Sequence, residues 1–120
     1  MEIKMPIGDI VDKLSILLIK EKRLSCKISI RNVKKELEYI HKKWQTEINI
    51  RYTTLPEWEE LCKVNNKLWS LEERIRLKNK TDNEIIEDAH LIHFLNDRRA
   101  HLKRSINISL NSEFIEEKSY

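Results

Sequence analysis

The sequence predicts an all-α fold: an antiparallel four-helix bundle with a long C-terminal helix. Three observations predict it. The 120-residue chain has one Gly and two Pro, too little turn punctuation for a β protein. It is 36% charged and rich in Ile, Leu, Glu and Lys, a balance that favours helices. Apolar residues recur at spacings of three and four over long stretches, the period of an amphipathic helix. The length suits one domain, residues 1–120, and can remove roughly 65% of the unfolded chain's surface from water without covalent staples.

The first helix is expected from about Gly8 to Leu24, with Ile7, Ile10, Leu14, Leu17 and Leu24 on one stripe. Asp9 stands near its start, where the helix dipole favours negative charge. Ile16 and Ile19 point away from that stripe, and a helix apolar on two sides needs cover on two sides. A second copy of the chain is the expected cover. The apolar stripe jumps by about a third of a turn near Ser25 to Ser29, which predicts a break there. The second helix follows from about Ile30 to Ile48, carried by Ile30, Val33, Leu37, Ile40 and Trp44. Asn49 to Thr54 reads as a loop. Thr54 and Glu57 have the spacing of a capping box, with Pro56 tolerated in the first turn, so a third helix should run to about Leu77. The fourth begins at Thr81 or Asp82, with Glu84 placed to complete a second capping box. It continues unbroken to about Leu110. The tail NSEFIEEKSY has no assignment.

Composition narrows the function. The formal net charge of +3 is small and both signs are mixed along the chain, so neither a basic nucleic-acid arm nor an acidic tail is present. Cys26 and Cys62 lack any ligand spacing and read as reduced core residues, which points to a cytoplasmic setting. The longest apolar run, Ile16 to Ile19, is far too short to cross a bilayer, and the start MEIKMPIGD lacks a signal-peptide core. No cofactor is expected.

Polar groups on the inward stripes are the informative feature. In VNNKLWSLEERIR, residues 64–76, a helical projection puts Asn65, Leu68, Glu72 and Arg76 close to one line. Asp88 and Arg99 share a stripe with Ile85, Ile92, Leu95, Leu102 and Ile106, and Glu21 continues the line of Leu14 and Leu17. An unpaired ion in such a place costs several kcal/mol, so these groups must meet partners, water or a ligand. Either they form a buried ion-pair network that fixes helix register, or they line a polar pocket, a common device inside bundles.

The stretches GDIVDKLSILLIK (residues 8–20), VNNKLWSLEERIR and NDRRAHLKRSIN (residues 96–107), followed by EEKSY, resemble a family of small bacterial and phage proteins classed as a domain of unknown function. The resemblance covers nearly the whole chain, and it brings no activity, substrate or catalytic residue. It implies that Asp12, Lys13, Lys20, Asn65, Trp69, Glu72, Arg76, Asn96, Asp97, Arg99, Lys103 and Asn107 match the family pattern. Leu18 is a departure, since an acid often precedes the Ile-Lys pair in that pattern.

Five chemistries compete. Two ExxE pairs, Glu57 with Glu60 and Glu84 with Glu87, loosely resemble the Mg²⁺ carboxylates of helical nucleotide pyrophosphohydrolases. Lys13, Lys20, Arg23, Arg99 and Lys103 could gather round a dianion in a chorismate-mutase-like enzyme. His93, Asp97 and His101 stand at i, i+4 and i+8, although a solvated face accounts for them better than a metal site. Arg98, Arg99, Lys103 and Arg104 are the densest basic cluster, without a recognisable nucleic-acid docking motif. The fifth is a self-associating module, for which Asn96, Ala100, Lys103 and Asn107 form a small-and-polar ribbon on which another helix could rest.

The sequence is best read as a homodimeric binding module, with a helical enzyme at the same cleft as the alternative. Asn65, Glu72, Arg76, Arg99, Asp88 and Lys103 are the candidate ligand-binding residues, with an anionic small molecule or a partner protein as ligand. Glu72 and Arg76 are expected to turn toward other helices, and Arg76 and Arg99 to grip an anion by forked hydrogen bonds.

Overall fold

The computed structural model describes residues 5–77 and 79–110, and the NSEFIEEKSY tail lies outside them. Four α-helices and one short 3₁₀ turn make up the described chain: α1 (Ile7–Arg23), α2 (Lys27–Glu47), the 3₁₀ turn (Tyr52–Thr54), α3 (Trp58–Ile75) and α4 (Asp82–Ser109). The all-α expectation stands. The break between α1 and α2 spans residues 24–26, with extended backbone at Leu24 and Cys26, and overlaps only the start of the Ser25 to Ser29 stretch, because α2 already begins at Lys27. α4 has 28 residues, about 42 Å of helix, against a longest molecular dimension of 48 Å.

One of the two expected capping boxes forms. At α4, the Thr81 hydroxyl accepts from the Glu84 N–H at 3.2 Å and the Glu84 carboxylate reaches back to Thr81. At α3 the box fails. Thr54 closes the 3₁₀ turn instead, its hydroxyl donating to the Arg51 carbonyl at 2.6 Å, and the helix starts later, at Trp58. Glu57 is then free to reach α4, where it accepts from the Ser105 hydroxyl at 2.7 Å. The spacing was right for a cap, but the 3₁₀ hydrogen bonds took Thr54 first.

The core follows the periodic stripes. Val11 and Leu14 of α1, Val33, Ile40 and Trp44 of α2, Leu61, Val64, Leu68 and Leu71 of α3, and Leu95, Leu102 and Ile106 of α4 are buried in one cluster. Trp44, Tyr52 and Trp58 meet in edge-on and tilted ring contacts that tie the end of α2 to the start of α3. α1 is the central helix and packs against α2, α3 and α4 alike. On the second apolar side of α1, Ile19 is buried within the chain, whereas Ile16 is half-buried and faces the cleft described below. Pairings along the helices fix directions. Gly8 with Asn107, Asp9 with Lys103 and Asp12 with Arg99 run in opposite chain order on α1 and α4. Glu57 with Ser105 and Arg74 with Asp88 do the same for α3 and α4.

The small-and-polar ribbon of α4 also finds its helix inside the chain. The Gly8 N–H donates to the Asn107 side-chain oxygen at 2.6 Å, and a Cβ at Gly8 would stand 2.2 Å from the Lys103 carbonyl oxygen. Only glycine lets the two backbones come so close. The cysteines depart from expectation: Cys26 is exposed and Cys62 is half-buried, so neither is a core residue, and both are free thiols. Burial pushes the Cys62 thiol up from its ordinary value. Among the described residues, no helix is long and apolar enough to cross a membrane.

Candidate functional site: a polar cleft between α1, α3 and α4

Asn65, Glu72, Arg76 and Arg99 line one cleft of about 330 Å³, together with Ile16, Leu68, Trp69, Glu73 and Asn96. The structure thus brings four of the six candidate residues together: Asn65, Glu72 and Arg76 on the single line along α3 that the helical period requires, and Arg99 from α4. At one end of the cleft Asn65 and Arg99 join a hydrogen-bond network with α1. Asp12, buried in α1, accepts from Arg99 Nε at 2.8 Å and Nη2 at 2.5 Å, a two-pronged pairing. Asn65 Nδ2 donates to the same carboxylate at 2.9 Å and to the Ser15 hydroxyl at 2.7 Å. Ser15 in turn donates to the Asp12 carbonyl at 2.7 Å. The bond from Asp12 strengthens Arg99's hold on its proton and pushes its pKa upward.

Sequence reasoning missed the partner. Asp12 and Ser15 stand four and seven residues after Gly8, a small-and-polar ridge at helical spacing along which Gly8 and Asp12 meet α4 and Ser15 meets Asn65 of α3. That ridge was the available signal. Arg99 spends its Nε edge on Asp12, so its charge is already paired and only the Nη1 end remains toward the cleft.

Glu72 and Arg76 correct a second expectation. Both side chains are exposed, and among the described residues neither makes an ion pair or hydrogen bond. They share the face of Asn65, but the cleft opens opposite them where a helix covers Asn65. Asp88 and Lys103 lie outside the cleft. Asp88 is buried and held by Arg74 at 2.9 Å and Lys80 at 3.1 Å, which fastens the α3–α4 turn. Lys103 pairs with Asp9 at 2.8 Å, at the crossing of α1 over α4. Both are register residues, and Arg74 rather than Arg76 is the α3 base that meets a buried acid.

Most of the residues behind the enzymatic readings are engaged elsewhere. Glu60 is bound by Arg98, which draws its carboxyl below the usual range, Glu57 holds Ser105, and Glu84 caps α4. Lys13 pairs with Glu36 at 3.0 Å. Arg23 reaches Glu73, Asn66 and Ser70 at 2.7–3.2 Å, so the cations proposed to gather round a dianion are spread over three separate places. Arg98, Arg99 and Lys103 of the basic cluster are each matched by a carboxylate. On the outer face of α4, His93 and Asp97 are exposed and 3.5 Å apart, and among the described residues no three His, Cys, Asp or Glu side chains are grouped to hold a metal.

The cleft therefore offers an apolar floor of Ile16, Leu68 and Trp69, an arginine paired with Asp12, and two side chains of opposite charge that are unmatched among the described residues. No protein-family model, curated protein or solved structure matches the chain.

Proposed function

We propose that the chain is a binding module rather than a catalyst, and that the α1/α3/α4 cleft engages a protein partner carrying charges of both signs. One observation carries this: Glu72 and Arg76, one turn apart beside Trp69, are both unmatched among the described residues. The charge balance favours a protein over an anionic small molecule. Arg99 is neutralised by Asp12 and Glu73 faces Arg23, which leaves one acid and one base. A lone anion drawn to Arg76 meets the repulsion of Glu72 about 6 Å along the same helix. A cleft of about 330 Å³ is at the low end for small-molecule pockets, whereas Trp and Arg over an apolar floor are the usual anchors of protein interfaces. Membership in the small bacterial and phage family is part of the same proposal, on the residues quoted above.

Site-directed photocrosslinking tests it. A photoreactive amino acid at Asn96, on the cleft, should give discrete protein adducts in cells making the protein, and one at Lys34, exposed on α2, should not. Equal adducts from both positions, or none from position 96, would overturn the reading. A saturable thermal shift with an anionic metabolite, abolished by Arg76→Ala, would replace the protein partner with a small molecule.

A further inference from the structure

We infer that the occupant of the cleft is a second copy of this chain, docked through α3 about a two-fold axis. The inference rests on the cleft being a protein-docking site, and it names the partner. Glu72 and Arg76 are self-complementary. They have opposite charge, lie four residues and about 6 Å apart on one face of α3, and are both exposed and unmatched among the described residues. A two-fold axis crossing α3 midway between them sets the two copies of α3 antiparallel. Glu72 then meets the partner subunit's Arg76, and Arg76 meets the partner subunit's Glu72. Such reciprocity is what a two-fold interface demands, because one patch must complement itself. An unrelated partner would need its own matching acid and base at the same spacing.

Apolar surface lies where this arrangement needs it. Trp69, Leu68 and Ile16 form the cleft floor beside the charged pair. Beyond Arg76, Leu77 is 61% exposed and Ile85, at the start of α4, is 42% exposed. The two residues flank the α3–α4 turn, and a second α3 lying across the cleft would cover apolar side chains there. The charges set the register and the apolar residues supply most of the burial, the usual division of labour at an interface. Each cleft is then completed by a side chain from the other copy.

Sedimentation of the full chain tests this by charge swapping. The wild type should dimerise, more weakly as salt rises. Glu72→Arg places two bases against two bases across the axis, and Arg76→Glu places two acids against two acids. Each alone should weaken association about 10-fold or more. An equimolar mixture of the two variants restores opposite charges at both contacts and should recover a heterodimer, which a misfolded variant could not form. A wild type that stays monomeric to about 0.1 mM would overturn the proposal. So would two reversal variants that each dimerise as well as the wild type. If the chain is monomeric and the crosslinker at position 96 still gives adducts, the second copy is excluded and the docking reading of the cleft stands.

Discussion

Asn65 and Glu72 lie two turns apart on one face of α3, and they have opposite surroundings. Around Asn65 the polar groups are closed on themselves: buried Asp12, Ser15 and Asn65 and half-buried Arg99 satisfy one another across three helices. Around Glu72 the same line of α3 runs into open cleft, and the charges there have no partner among the described residues. The difference lies in what stands opposite. α1 closes over α4 where Gly8 permits backbone contact and Asp12 meets Arg99, and farther along α3, among the described residues, no side chain pairs with Glu72 or Arg76. A closed polar cluster fixes how helices sit, because any slip strands a buried charge. An open one leaves its charges to be matched by something else.

Breaking the closed cluster should have the largest effect. Asp12→Ala removes the carboxylate that holds both prongs of Arg99 and one Asn65 bond. Losing one partner of a buried pair costs about 3–5 kcal/mol. Arg99 keeps some contact with the cleft, its side chain being 29% exposed, so the low end of that range is expected. For a domain of this size that lowers Tm by roughly 10 °C. Thermal unfolding followed by circular dichroism checks it, and a Tm loss below that of an exposed substitution would end the distinction between the two regions.

Gly8→Ala should come next. The new methyl meets the Lys103 carbonyl, which is backbone and cannot swing aside, so α1 must move away from α4. The Gly8–Asn107 bond weakens as it does. Overpacking of this kind costs about 1–3 kcal/mol, more than the helix-propensity gain of Gly→Ala returns. Chemical denaturation gives the value. A neutral or stabilising result would mean that the close approach of α1 is not what shuts the lower crossing.

The same contrast explains what was legible beforehand. Periodicity gave the helices and much of the core, because burying an apolar stripe is a local demand that every neighbour must satisfy, but it passed over Val11, Tyr52, Leu55 and Leu61 and placed exposed Ile85 on an inward stripe. It also placed Asn65, Glu72, Arg76 and Arg99 on converging faces. Partner choice was not legible. Nothing in the one-dimensional pattern distinguishes Arg74, which meets Asp88, from Arg76, which meets solvent, since the two differ by where α4 happens to stand. Asp12 was passed over for a related reason. It reads as a polar interruption of α1 until Gly8, which lets α4 come close, and Ser15, which meets α3, are seen on the same ridge. The Thr54 cap failed because a competing local hydrogen bond to Arg51 is invisible to spacing alone.

The smallest effect sharpens the comparison most. Glu72→Ala and Arg76→Ala should each change the unfolding free energy of the monomer by no more than about 0.5 kcal/mol, because exposed side chains without partners contribute little to folding. Measured at concentrations too low for association, the two variants should match the wild type in Tm and in denaturant midpoint. At higher concentration, where copies meet, they should fall behind it, since only there do the two charges find partners. A marked loss for the dilute monomer would mean that Glu72 and Arg76 serve the fold and not the interface. Agreement at low concentration with divergence at high concentration has no explanation within a single chain, and so locates the role of these residues outside it.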